Sequence, residues 1–115
     1  MGFSEFEIKR IEKAVAKFME KRRPAPYIRD QIDFGFRIKG QSLELFVIRP
    51  RWNNPSEKTE SAIAKTTYVK TKRIWKIYWQ RQDLKWHGYQ PKPEVKTVDE
   101  FLSVVDQDAH ACFFG

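Results

Sequence analysis

A chain of 115 residues, 41% of them apolar and nine of them Phe, has the length of one ordinary domain and enough apolar side chain to build its own core. Its single Cys112 excludes an internal disulfide, no run of about 18 apolar residues offers a membrane span, and charges stand where a secretory leader needs an apolar run. These features predict a single domain over residues 1–115, cytoplasmic and without membrane contact, and the net charge of +7 points to polyanionic partners.

Ser4 followed three residues later by Glu7 is a capping box, in which each side chain can satisfy a backbone N–H of a first helical turn. Ile8, Ile11, Val15, Phe18 and Met19 then recur at spacings of three and four, with Lys9, Arg10, Lys13, Lys17 and Lys21 on the other side. This pattern predicts a helix over about residues 5–22, stopped by Pro24 and Pro26.

From Gln31 the period becomes two: Ile32, Phe34, Phe36 and Ile38 alternate with Asp33, Gly35, Arg37 and Lys39, the signature of a strand with one buried face. Gly40 supplies a turn, and Leu43, Leu45 and Val47 resume the alternation to about Arg51. Phe46 and Ile48 fall on the opposite face, so a cover is expected there, with the first helix the candidate. Pro50 is expected to end regular pairing, and Asn53 to Glu60 to form a mobile loop. A third strand is predicted over 62–70, and a fourth in which Trp75, Ile77 and Trp79 alternate with Lys76, Tyr78 and Gln80. Asp83 to Pro93 reads as an ordered loop pinned by Trp86 and Tyr89. Thr97 and Glu100 form a second capping box, opening a short helix with Val98, Phe101, Leu102 and Val105 on one side. The apolar tail that ends in Phe113 and Phe114 is expected to tuck into the core. The predicted architecture is α+β: an N-terminal helix, a four-stranded antiparallel meander and a short C-terminal helix packed on one face of the sheet.

Several unusual runs resemble a known family: Arg49-Pro50-Arg51-Trp52, Ala64-Lys65, Tyr68-Val69-Lys70, Trp75 to Arg81, Asp83 to His87, Tyr89 and the closing Cys112 to Gly115. The likeness is to small bacterial proteins classed as a domain of unknown function, over roughly residues 31 to 115. It implies no activity, cofactor or catalytic residue.

The charge surplus is local. Between Ala64 and Pro91 lie seven Lys and Arg residues against Asp83 alone, with three of the four Trp and three of the four Tyr. Rings on a sheet face stack on unpaired bases while neighbouring cations hold phosphates. Lys65, Tyr68, Lys70, Lys72, Arg73, Lys76, Tyr78, Arg81 and Lys85 are therefore the candidate residues for single-stranded nucleic acid or RNA, with Trp75 and Trp79 assigned to the core. A protein-interaction or homodimerising module using the aromatic face is the alternative. Arg49, Arg51 and Trp52, with Arg81 near, form a candidate anion site, unless these arginines pair with Asp83 or Glu44. Asp106, Asp108, His110 and Cys112 fall at spacing two and would share one face of an extended tail, yet no established metal spacing accompanies them and no metal site is assigned. Asp83 with His87 lacks a third group for catalysis, and phosphate-cradling loops, nucleophile elbows and dinucleotide fingerprints are absent. The expectation is a non-enzymatic protein without cofactor.

Overall fold

The structure, a computed structural model, describes residues 2–81, 83–108 and 113. Helix α1 (Glu5–Arg22) starts where its capping box predicts: the Ser4 hydroxyl accepts from the Glu7 amide, and the Glu7 carboxylate accepts from the Ser4 amide at 3.1 Å. That amide is the main reason the Glu7 carboxyl is held below its usual range. Ile11, Ala14, Val15 and Phe18 form the buried stripe. Pro26–Ile28 then makes one 3₁₀ turn before the sheet begins.

Four long strands follow: β1 (Asp33–Lys39), β2 (Ser42–Arg51), β3 (Asn54–Val69) and β4 (Ile74–Gln80). They pair antiparallel in sequence order, as alternation and tight turns demand, with Gly40 at φ 58° in the first turn. The sheet is larger than four strands. β5 (Trp86–Gly88) and β6 (Glu94–Val95) both pair with the outer edge of β4, through Tyr78 opposite Gly88 and Trp75 opposite Val95. The stretch expected to be an ordered loop thus contributes two short strands, and the Ile77 backbone bonds to both flanks, donating to Pro93 and accepting from Tyr89.

Strand β3 also begins earlier than expected. Residues 54–60, within the stretch read as a mobile loop, belong to β3, which pairs with β2 through Pro50 opposite Lys58 and Arg51 opposite Asn54, with register shifts after Leu45 and Pro50. Pro50 does not end the pairing. The outer end of this hairpin runs past both neighbours, since β1 stops opposite Ile48 and β4 opposite Ala64. A two-stranded ribbon has no neighbour to hydrogen-bond on either side, so proline is tolerated there.

Helix α2 (Val98–Gln107) is capped by Thr97, whose hydroxyl accepts from the Glu100 amide. Its Val98, Phe101, Leu102 and Val105 join the α1 stripe against one face of the sheet. Two cross-strand rows define that face: Phe36–Leu45–Ala64–Trp79 and Ile38–Leu43–Thr66–Ile77. Thr66 is the polar member, fully buried, and its hydroxyl donates to the Lys76 carbonyl at 2.8 Å. Arg22 clasps the two helices together by donating to the Asp106 carboxylate at 2.7 Å and to the Asp106 carbonyl. Phe113 is buried against Tyr89, with ring centroids 4.8 Å apart.

Candidate functional site

Since side chains alternate across a strand, the face away from the helices carries the intervening residues. One row there runs Arg37–Glu44–Lys65–Tyr78–Gly88, and the next Lys39–Ser42–Thr67–Lys76–Glu94. Among the described residues no element packs over this face; both helices belong to the core on the other side.

At its centre the Lys65 ammonium lies over two rings, 5.8 Å from the centroid of Tyr78 and 5.6 Å from that of Trp86. Each such contact at an exposed site stabilises by about 0.5–1 kcal/mol, enough to pre-position the lysine without removing its charge from solvent. Toward β1, the Arg37 guanidinium sits 4.7 Å from the Phe46 centroid and also pairs with Glu60. Phe46 is thus covered by Arg37 and by the bare backbone of Gly35 opposite it, not by the first helix: a Cβ on Gly35 would stand 2.5 Å from the Phe46 ring.

The two halves of the face differ in charge. On β1 and β2, Arg37 is paired with Glu60 and Asp33 with Arg23 at 2.9 Å, leaving little surplus. On β3 to β5, Lys65 and Lys76 are in no ion pair with a described residue, and the turns at either end add Lys70, Lys72 and Arg73, or Arg81 and Lys85.

Of the predicted nucleic-acid residues, the fold brings Lys65, Lys76 and Tyr78 onto one uncovered surface. Lys70, Lys72 and Arg73 lie exposed in the β3–β4 turn, with Arg81 and Lys85 exposed at the far end of β4. Tyr68 lies elsewhere: it is half-buried on the helix side, 5.0 Å from Trp75 and 6.5 Å from Phe3. Trp75 is 8% exposed and Trp79 packs against the core with Arg81 5.7 Å from its ring centroid, so both belong to the inner side. Sequence reasoning placed Arg37 and Phe46 away from the buried face but did not count them, or Trp86, among the candidate site residues. For Trp86 the only available signal was that an exposed hairpin edge can supply a further short strand.

Arg49, Arg51 and Trp52 lie at the outer end of the β2–β3 ribbon, with Trp52 94% exposed in its turn. Arg51 pairs with Glu57 at 2.9 Å, not with Asp83 or Glu44. Arg81 is far from Arg51: Trp79 pairs with Ala64 and Arg51 with Asn54, levels roughly 30 Å apart along β3 at ~3.3 Å per residue, while Arg49, opposite Thr59, stands about half as far from the level of Trp79.

Asp83 accepts from the Lys85 amide at 2.9 Å and contacts His87 Nε2 at 2.9 Å, and these bonds, the first above all, hold its carboxyl below its usual range. His87 borders a cavity of about 510 Å³ with Trp79, Arg81, Tyr89, Gln90 and Pro91. Among the described residues this lining has no Ser, Thr, Cys or Lys beside the oriented imidazole. In the tail, Asp106 is on α2 and paired with Arg22, while Asp108 caps the helix in the left-handed region and accepts from the Phe113 amide at 3.0 Å. His110 and Cys112 lie outside the described residues.

A family model described as Domain of unknown function (DUF3024) matches residues 3–115, so the matched region takes in α1 and reaches beyond the stretch that carried the resemblance in sequence. No curated protein and no solved structure matches the chain.

Proposed function

The chain belongs to the DUF3024 family, a domain of unknown function, and on that premise we propose that it is a non-enzymatic module that binds single-stranded nucleic acid on the β3–β5 half of its uncovered sheet face. One observation carries this reading: Lys65, in no ion pair with a described residue, lies over two rings, Tyr78 and Trp86, on a surface that no described element covers. Unpaired bases have flat faces that stack on such rings whatever their sequence, and phosphates take up the neighbouring ammonium groups. Lys76 extends the track along the sheet. Lys70, Lys72 and Arg73 continue it at one end, and Arg81 and Lys85 at the other. A duplex fits this surface poorly because its bases are already stacked on each other.

Fluorescence anisotropy with a mixed-sequence single-stranded oligonucleotide tests the reading. Affinity is expected to fall with salt, at a logarithmic slope of about −0.7 for each phosphate engaged. Tyr78→Ala is expected to cost about 1–3 kcal/mol of binding, and Lys65→Glu to add to that loss. Binding that ignores salt, or that survives Lys65→Glu with Tyr78→Ala unchanged, overturns it.

The exposure of Trp52 at the ribbon tip favours one second reading, a protein-interaction or homodimerising module that uses this end of the chain. Light scattering that finds one monomeric mass over a wide concentration range removes the homodimer form.

A further inference from the structure

On the helix side of the sheet a half-open cavity of about 300 Å³ lies between α1, the β3–β4 hairpin and the segment that leads into α2. Its wall is aromatic. Phe3 stacks on Trp75 with centroids 5.5 Å apart and planes within 26°, and Tyr68 closes the group at 5.0 Å from Trp75. Around this wall stand three cations from three separate elements: Arg10 of α1, Arg73 of the hairpin turn and Lys96 before α2.

Those cations are not spent on structure. None of the three forms an ion pair with a described residue. Two carboxylates also line the cavity, Glu7 and Asp99. Glu7 is already committed: it accepts from the Ser4 amide in the capping box, and Lys70 lies near enough to act on its charge. With three cations against two carboxylates, the lining keeps a small net positive charge beside a flat apolar wall. Convergence of this kind, where a few polar groups fix orientation and an aromatic surface supplies contact area, is how small-molecule sites are built. Guanidinium groups from two directions suit an oxyanion in particular, since each can donate two parallel N–H bonds to it.

We propose that this cavity binds a small organic anion with a flat apolar body, such as an aromatic carboxylate. The ring of the ligand lies against Phe3, Tyr68 and Trp75, and its carboxylate faces Arg10, Arg73 and Lys96. The site shares Arg73 with the track proposed for oligonucleotides, whereas Arg10 and Lys96 lie outside that track and set the two sites apart.

The test is a ¹H–¹⁵N NMR titration of the full chain with 2-naphthoate and, separately, with its neutral counterpart 2-naphthamide. Saturable shifts are expected at the Trp75 indole and the Lys96 and Asp99 amides, with 2-naphthoate binding about tenfold or more tightly than 2-naphthamide. Arg10→Gln combined with Lys96→Gln is expected to erase that preference while leaving the weak binding of 2-naphthamide in place. Both substitutions are at exposed positions, and the comparison of the two probes on the unaltered chain decides the matter without them. Equal affinity for the two probes, shifts confined to other residues, or a preference that survives the double substitution overturns the proposal.

Discussion

The two faces of one sheet use the same chemical vocabulary to opposite ends. On β4, Trp75, Ile77 and Trp79 turn toward the helices, and Lys76, Tyr78 and Gln80 turn away. Inner rings meet mainly apolar groups: Trp75 stacks on Phe3 and is all but lost to solvent, and only Trp79, at the end of β4, also has a cation, Arg81, near its ring among the described residues. Outer rings meet cations, Lys65 over Tyr78 and Trp86 and Arg37 over Phe46. The difference teaches that an aromatic-rich segment cannot be counted whole as a binding surface. Half of its rings are committed to the core by the period of the strand.

The sharpest way to break this comparison is to truncate one large side chain on each face. Phe101, fully buried among the inner rows, is expected to cost about 3–5 kcal/mol on Phe101→Ala, through lost transfer energy and the void left behind. Tyr78→Ala, on the same sheet but outside, is expected to stay within about 1 kcal/mol. Urea denaturation of both variants measures the two values. Similar losses for the two would mean that the outer face is also structural.

A smaller effect sharpens the picture of the outer face itself. Gly35 is there because the Phe46 ring lies across it, and Gly35→Ala is expected to destabilise by about 1–3 kcal/mol as the new methyl group displaces the ring. Combining it with Phe46→Leu is expected to cost less than the sum of the two changes, since the clash partner is gone. Strict additivity would show that the ring and the glycine do not interact.

How far the sequence discloses this arrangement depends on whether burial imposed a period on it. Helix α1 was legible because its capping box and apolar stripe agree, and β1, β2 and β4 because one face of each is covered. The outer half of β3 was not. Residues 54–59 lie in a two-stranded ribbon, so no alternation of apolar side chains is required, and the polar run reads as a loop. β5 and β6, at three and two residues, are too short for any period. Tyr68 lies on the opposite face from Tyr78, and the inner side of β3 carries no continuous apolar alternation to announce it, because the bond from Thr66 to the Lys76 carbonyl lets a hydroxyl occupy a core position. Lys65, Lys76 and Tyr78 were legible as a group, whereas Trp86 needed the β4–β5 pairing, which no local pattern announces.

The smallest expected effect concerns Asp33, which stands at the outer edge of β1 but is engaged from the helix side. Arg23, just past the end of α1, donates from Nε and Nη2 to its two carboxylate oxygens at 2.9 Å, and the Phe34 amide adds a bond at 2.8 Å. These contacts, led by the bond from Arg23, lower the Asp33 pKa in the folded chain. A carboxyl whose folded pKa lies below its unfolded value adds stability that is complete above the unfolded value and lost as pH falls through the folded one. The advantage of the native chain over Asp33→Asn is therefore expected near about pH 7 and expected to vanish by about pH 2, as read from urea midpoints at the two conditions. An advantage that is the same at both would mean the pair contributes nothing as an ion pair. The same substitution separates the halves of the outer face: it releases Arg23 on the balanced β1 side, so oligonucleotide affinity should hold or rise slightly, whereas removing Lys65 on the basic side lowers it.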